Sequence, residues 1–380
     1  MASQMEKRTN QPQAEWYWQS NSDPWSPDEK QDWKKYSDIE SEIIEGVFDA
    51  NDAKGLAKLD NYLIDLNSSL QISKSDHNKE SNVKRVLIDR NENQGLREER
   101  FFLPQALNRP FNDDSYKGGL HLIKEWKKKA VDLTTSQIVE QAANGIINEG
   151  DLLGEHCASR WIARQLTAVQ NKDGKEIYKC CIRLYTKECF LYKIINQAMI
   201  EADITKLDTL APFCYLLFRS WLQDIKPYKA ETYRGGNLNP DMVKYYQKST
   251  GRKKCWYGFT STSKNREKAE SFGNSLFIID MSDAIGIDIS ACSDFPNEEE
   301  VLLPPGTTFK IKQVQFNNTN YKNNIFLKIV NNLPSYSIAA CLLNRLFANC
   351  FLCHKAIFSL NSNVIWRCET HTKAMNSPMV

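Results

Sequence analysis

The chain has no cysteine before Cys157, few apolar residues in its opening stretch, no long apolar run and almost no net charge. Each lack removes a class of protein. The opening MASQMEKRTNQPQAEWYW lacks the apolar core of a secretory signal. The 11 cysteines are odd in number, and without an export signal they are expected as reduced thiols in an intracellular protein, cytoplasmic or nuclear. Cys180, Cys181, Cys189 and Cys214 are read as small buried hydrophobes. No apolar stretch reaches the roughly 18 residues of a membrane-spanning helix, so no membrane partner is expected. Lys plus Arg (49) almost balances Asp plus Glu (47), a net charge of +2. That balance gives no electrostatic case for nucleic acid or an anionic lipid surface. A small anionic ligand needs only a local basic site, which net charge does not report.

What is present is enough apolar residue (41%, with 11% aromatic) to build cores, in a length of 380 residues that suggests two domains. Residues 1–14 are polar and expected to be disordered. Residues 15–92 form a block rich in tryptophan, with Trp16, Trp18, Trp25 and Trp33. In it Ile39, Ile43, Ile44 and Val47 recur at helical spacing behind Ser37 as N-cap. NYLIDLN and VKRVLID alternate as strands, and SSLQISKSDHNKES between them reads as a polar loop. Residues 93–118 read as a linker that packs in part on the larger domain after it. That domain, residues 119–328, has helical spacings to about 225, then short strands and turns from 231 onward. Helices first and strands after predict an α+β domain, a helical lobe beside a mixed sheet. There are no internal repeats, and residues 329–380 fit neither texture.

Three late segments hold residues able to do chemistry. ETYRGG is read as extended and delivers Arg234, whose planar, permanently charged fork suits phosphate or carboxylate. Gly235 after it lets a ligand approach the backbone, because no Cβ intervenes; the alternative is a turn after a surface arginine. FTSTS alternates, with Phe259, Ser261 and Ser263 on one face and Thr260 and Thr262 on the other. Its alternative is a strand end that caps the helix SKNREKAESF. FPNEEEVLLPPG carries Glu298, Glu299 and Glu300. In extended chain Glu298 and Glu300 face the same side, a pair suited to acid–base work or to stabilising a cation, with Glu299 turned to solvent. A solvated loop tip is the alternative.

Taken in order, Y-R-G, F-x-S-T-S and E-x-E before V-L-L-P-P-G are separated by 27 and 39 residues. They resemble the arginine-specific, R-S-E-x-E class of ADP-ribosyltransferases, which includes vertebrate ecto-enzymes and bacterial toxins. The resemblance spans roughly residues 115–320. It implies an ADP-ribosyltransferase-like mixed β-sheet core with a helical lobe, and NAD (or NADP) as co-substrate with no metal required. The implied activity is that of an NAD(P)+–protein-arginine ADP-ribosyltransferase, moving ADP-ribose to arginine side chains with release of nicotinamide. An NAD glycohydrolase and a non-enzymatic ADP-ribose or protein interaction protein are the alternatives. By the same resemblance, Arg234, with Tyr233 beside it, would hold the pyrophosphate and nicotinamide ribose, and the Gly235 backbone would meet the nicotinamide amide. Ser261 would position glutamate and ribose. Glu300 would stabilise the positive charge that develops as nicotinamide leaves, and Glu298 would bind and help deprotonate the acceptor. Ser290, Ser293 and Phe295 fall in the loop expected to contact the acceptor. Phe272 either walls the nicotinamide pocket or belongs to the core.

The tryptophan-rich block, with its acidic helix and YLIDL strand, is similar to a WWE domain, a small α+β half-barrel whose members include binders of ADP-ribose units. That likeness implies ADP-ribosylated proteins as partners and Tyr62, Gln71 and Arg85 (or Lys84) as ligand contacts. Gln19 stands where ligand-binding members often carry an aromatic, and residues 20–32 make a longer loop than usual. In the tail, Cys350, Cys353, Cys368 and His371 give a zinc-like C-x2-C-x14-C-x2-H spacing. No turn glycine lies between the pairs, so the tail is read as an extension of unknown role.

Overall fold

The computed structural model describes residues 13–21, 31–50, 54–88, 111–113, 120–219, 228–283 and 286–330. Around the first helix, α1 (Asp38–Asp49), the tryptophan-rich block takes its form. The Ser37 hydroxyl accepts the Glu40 N–H while the Glu40 carboxylate accepts the Ser37 N–H, a reciprocal cap that contributes about 1 kcal/mol. α1 packs on a six-stranded antiparallel sheet of β1 (Gln13–Gln19), β2 (Trp33–Lys35), β3 (Leu56–Lys58), β4 (Tyr62–Asp65), β5 (Leu70–Ser73) and β6 (Glu80–Ile88), in the order β2-β1-β6-β5-β4-β3. Trp16, Tyr36, Ile44, Ala57, Leu59, Ile64 and Val83 fill the space between sheet and helix.

The structure corrects one expectation in this domain. The polar loop predicted between YLID and VKRVLID contains β5, paired to β4 and β6. Its inward positions are Gln71 and Ser73, both buried, while Leu70 and Ile72 are only half-buried. Polar side chains at the core-facing positions invert the usual alternation. Gln71 tolerates burial because its amide oxygen accepts the Tyr36 hydroxyl at 2.6 Å.

The helical lobe comes next, as α2 (His121–Lys129), α3 (Thr135–Leu153), α4 (His156–Val169), α5 (Gly174–Thr186), α6 (Phe190–Glu201) and α7 (Ala211–Arg219). Cys181 and Cys214 are buried in its core as expected, whereas Cys180 and Cys189 are only partly covered. No helix among the described residues is long and apolar enough to cross a membrane.

The lobe and the N-terminal domain share a core. Ile39 of α1 has no exposed surface and packs among the lobe residues, and Ile43 touches both cores. The N-terminal domain also caps lobe backbone. Glu155, the N-cap of α4, makes no side-chain cap, and the Asp60 carboxylate instead accepts the Cys157 N–H at 3.0 and 3.1 Å. Asp38 accepts the Glu188 N–H at 2.7 Å, just before α6.

The sheet expected after the helices is nine-stranded: β7 (Asn112–Asp113), β8 (Thr232–Gly236), β9 (Lys253–Trp256), β10 (Thr260–Ser263), β11 (Ser275–Asp280), β12 (Ile287–Asp288), β13 (Glu300–Leu303), β14 (Thr307–Asn317) and β15 (Lys322–Ile329). The order is β12-β13-β10-β8-β11-β15-β14-β9-β7, antiparallel except for β11 with β15. β7 comes from the segment read as a linker. α8 (Pro240–Lys248) and α9 (Arg266–Glu270) lie between strands. The architecture is α+β throughout, a mixed sheet with a helical lobe, preceded by the smaller sheet-and-helix domain.

Gly145 in the middle of α3 marks the tightest helix contact: a Cβ there would lie 1.9 Å from the Thr209 carbonyl oxygen. Gly145→Ala is expected to destabilise the chain by about 1–3 kcal/mol through overpacking. Denaturant midpoints measure this, and an unshifted midpoint would contradict the close packing of α3 on the turn before α7.

Candidate active site

β8, β10 and β13 run side by side. Tyr233 on β8 is paired with Ser263 on β10, and Ser263 in turn with Glu300 on β13. Paired residues on neighbouring strands project to one face, as do residues two apart on a strand. Ser261, Ser263 and Glu300 therefore share a face with Tyr233, 3% of Ser261 and none of Glu300 being exposed.

Arg234 leaves β8 on the opposite face. It is paired with Phe277 across β11, and its charge acts on the buried Tyr246 hydroxyl. Its Nη1 donates to the Ser261 carbonyl at 2.6 Å, so the arginine braces β10 from behind. The next residue also differs from expectation. A Cβ on Gly235 would lie 2.2 Å from the Ala269 carbonyl and 2.7 Å from Phe272 Cβ. The space that the missing Cβ leaves is used by Ala269 of α9 and by Phe272, two residues past its end. Tyr233 and Phe272 pack with Ala269, Leu276 and Ile278. The Tyr233 hydroxyl donates to Glu231 at 2.5 Å. That bond first, and burial second, push its pKa up to about 12.

The loop from β12 to β13 is built from short polar contacts. Ser290 donates to Asp288 at 2.7 Å, and Ser293, nearly buried, accepts the Phe295 N–H at 3.0 Å. Phe295 is half-buried, and its carbonyl accepts the Glu298 N–H at 3.1 Å, closing the turn Pro296–Glu298. The extended chain assumed for the glutamates is not what forms. Glu298 ends that turn, Glu299 is left-handed at φ 48°, and Glu300 opens β13. Glu299 is half-buried rather than turned wholly to solvent. A non-glycine residue in this region costs on the order of 1 kcal/mol. Its neighbours offset that cost: Ser263 donates its hydroxyl to the Glu298 carbonyl at 2.8 Å, and the Lys264 N–H meets the Glu299 carbonyl at 3.1 Å. Ser263 Oγ also accepts the Asn265 N–H at 3.0 Å, and Asn265 caps α9. Glu298 is left 3% exposed, so both carboxylates of the pair are buried.

Behind the loop stands a cluster that no motif announces. Lys187, 1% exposed, donates to Asp294 at 2.6 Å and to Glu42 of α1 at 2.9 Å. Arg183 donates from Nε to Asp294 at 3.0 Å and from Nη2 to Glu42 at 3.3 Å. Burial works against the Lys187 charge, but Asp294 and then Glu42 outweigh it and hold the ammonium above its ordinary range. Burial likewise opposes the Glu42 charge, yet Lys187, with Arg183, brings its carboxyl below the usual range.

In the N-terminal domain, Tyr62 and Gln71 lie on one face of β4 and β5, beside Tyr36 and the start of α1. Arg85 is elsewhere. Its guanidinium is engaged by Glu45 (2.5 Å from Nη2) and stacks over Phe48 in the second half of α1. Gln19 is buried and accepts from Asn82 at 2.9 Å. Cys350, Cys353, Cys368 and His371 lie outside the described residues, as do nearly all of residues 1–14. Among the described residues no group of three or more His, Cys, Asp or Glu is arranged to hold a metal ion.

Residues 113–334 match the family model for NAD:arginine ADP-ribosyltransferase, and residues 14–85 match that of the WWE domain. Among curated relatives, the chain is 26% identical over 131 residues to NAD(P)(+)–arginine ADP-ribosyltransferase 2 of Gallus gallus, covering 34% of this chain and 35% of that protein. It is 29% identical over 135 residues to GPI-linked NAD(P)(+)–arginine ADP-ribosyltransferase 1 of Mus musculus, covering 33% and 40%. These matches therefore span well under half the length of either relative. Among solved structures, the type III effector XopAI of Xanthomonas axonopodis pv. citri matches at 19% identity and a TM-score of 0.39, over 55% of this chain and 96% of that one. Exoenzyme S of Pseudomonas aeruginosa, bound to carba-NAD, matches at 18% and 0.36, also over 55% and 96%.

The ion cluster sets a pH window. The lowered Glu42 carboxyl stabilises the fold fully above its ordinary value of 4.5, and the contribution is lost as pH falls through the lower folded value. The raised Lys187 stabilises fully below 10.5, and its contribution is lost as pH rises through the higher folded value. Wild type is expected to exceed Glu42→Gln in melting temperature by a constant margin between these limits, the margin shrinking in acid. Melting curves across pH check this; a margin that grows on acidification would reverse the sign.

Proposed function

The chain belongs to the NAD:arginine ADP-ribosyltransferase family, and on that premise we propose that it transfers ADP-ribose from NAD to protein arginine side chains, releasing nicotinamide. The observation that supports this most is the placing of Ser261 and Glu300 on one face of adjoining strands, with Glu298 buried on the turn before β13. Two buried carboxylates at neighbouring positions suit a positive charge that exists only as the bond to nicotinamide breaks. NAD, when bound, supplies the ribosyl carbon and takes the bonding electrons away with nicotinamide.

Glu300 accepts the ribose 2′-hydroxyl and stabilises the charge at the ribosyl carbon. Ser261 orients Glu300 and the ribose. Glu298 binds the incoming guanidinium and takes the proton lost when its nitrogen bonds to that carbon. A guanidinium has a pKa above about 12 and needs such a partner. Arg234 acts through β10, fixing that strand by its bond to the Ser261 carbonyl, a supporting role in place of the direct hold on the pyrophosphate that the resemblance implies. Tyr233 and Phe272 form the aromatic wall on the face of Ser261, and Phe295 contacts the acceptor. For the WWE domain, recognition of ADP-ribosylated proteins would rest on Tyr62 and Gln71. Arg85 would have to release Glu45 to join them.

Incubation with labelled NAD and either agmatine or a protein panel, with the label then mapped, tests the reading. Glu300→Gln is expected to lower both transfer and nicotinamide release by on the order of a hundredfold or more. Glu298→Gln is expected to lower transfer to arginine by on the order of a hundredfold while sparing most acceptor-free nicotinamide release. Label found on cysteine would overturn the arginine assignment. Full activity in Glu300→Gln would overturn the catalytic one, and nicotinamide release with no labelled acceptor would mark a glycohydrolase.

A further inference from the structure

The N-terminal domain reaches the loop that carries Glu298 through a chain of charge that is mostly buried. Glu42 on α1 contacts Lys187 and Arg183 at the end of the α5 helix, and both cations contact Asp294. Asp294 is 6% exposed and lies four residues before Glu298. On its other side the loop is tied to the sheet through the Ser263 hydroxyl on the Glu298 carbonyl and the Lys264 N–H on that of Glu299. Lys268 of α9 adds a bond to the Asn297 carbonyl on that same side, so the turn is held by the sheet and α9 at its Glu298 end and by Lys187 and Arg183 at its Asp294 end.

A buried Lys187 and a partly buried Arg183 facing Asp294 alone would leave an uncompensated charge, which is costly in a low-dielectric interior. Glu42 supplies the balancing charge from the other domain. The arrangement is rigid on the α1 side, because Ile39, three residues before Glu42, is sealed into the lobe core and Asp38 caps the backbone at Glu188.

We infer that Lys187, with Glu42 and Asp294, forms a positioning relay by which the N-terminal domain sets the acceptor-facing turn, so that acceptor use depends on a domain that does not contact the acceptor. This rests on the assignment of Glu298 to the acceptor. Lys187 acts through Asp294 and touches neither reactant. Loss of the relay lets the Ser293–Glu298 turn drift while Ser261 and Glu300, held by strand pairing, stay in place. Displacements of about 1 Å at a reacting group can cost a hundredfold in rate.

The test compares full-length wild type with Glu42→Gln and Asp294→Asn. Each variant is expected to raise the KM for agmatine about tenfold, with KM for NAD and acceptor-free nicotinamide release held within about twofold. The double variant should be no worse than the worse single one, because the two residues act on the same cations. Parallel loss of transfer and nicotinamide release, or an unchanged agmatine KM, would overturn the relay. A second readout needs no catalysis: amide exchange of residues 289–299 should quicken in Glu42→Gln and stay at the wild-type rate in Glu140→Gln, a change on the exposed face of α3. If wild type transfers nothing to agmatine, the transferase reading fails. The exchange result then decides the relay by itself, and unchanged exchange in Glu42→Gln would overturn it.

Discussion

Ser263 sits where three strands and a loop have to agree. Its backbone is paired with Tyr233 on one side and Glu300 on the other, and its hydroxyl donates to the Glu298 carbonyl while accepting the Asn265 N–H. One residue thereby joins β8, β10 and β13 through its backbone and, through its hydroxyl, fixes the start of α9 and the turn that ends at Glu298. Because side chains alternate with period two, a slip of one residue in any of these pairings would send Ser261 or Glu300 to the wrong face. The site's geometry is a consequence of register, and register is a property of hydrogen bonds made across the sheet.

Burying carboxylates and lysines is normally unfavourable, so the charges around the site have to be accounted for in pairs. Lys187 is tolerated with 1% exposure because Asp294 and Glu42 outweigh its lost hydration. The same logic joins the two domains. Asp60 and Asp38 satisfy backbone N–H groups near the starts of α4 and α6, and Ile39 fills the lobe core. The WWE domain is therefore packed into the catalytic part through apolar contact, helix capping and ion pairing at once.

Some of this was legible in local pattern. Ser37 with Glu40 reads as a helix start because the reciprocal cap needs only residues three apart. The order of Arg234, Ser261 and the glutamate run survives as three adjoining strands. Other features were not legible, for identifiable reasons. β5 hides because Gln71 and Ser73 occupy its inward positions and are satisfied by partners distant in the chain or local to a turn. Gly235 suggests room for a ligand, yet the room is occupied by Ala269 and Phe272, which no spacing within YRGG could reveal. The glutamate run looks extended until Glu299 adopts a left-handed conformation, held by bonds from Ser263 and Lys264.

By itself the sequence determined the helices, the strands that alternate cleanly, the family and the candidate residues, since these arise from local periodicity, capping and short motifs. The tertiary structure alone decided which face each side chain takes, that Arg234 braces β10 from behind, and that Glu42 reaches Asp294 through Lys187. Those outcomes depend on strand register and on neutralising buried charge between segments more than 100 residues apart, and neither constraint leaves a trace in any single stretch of chain.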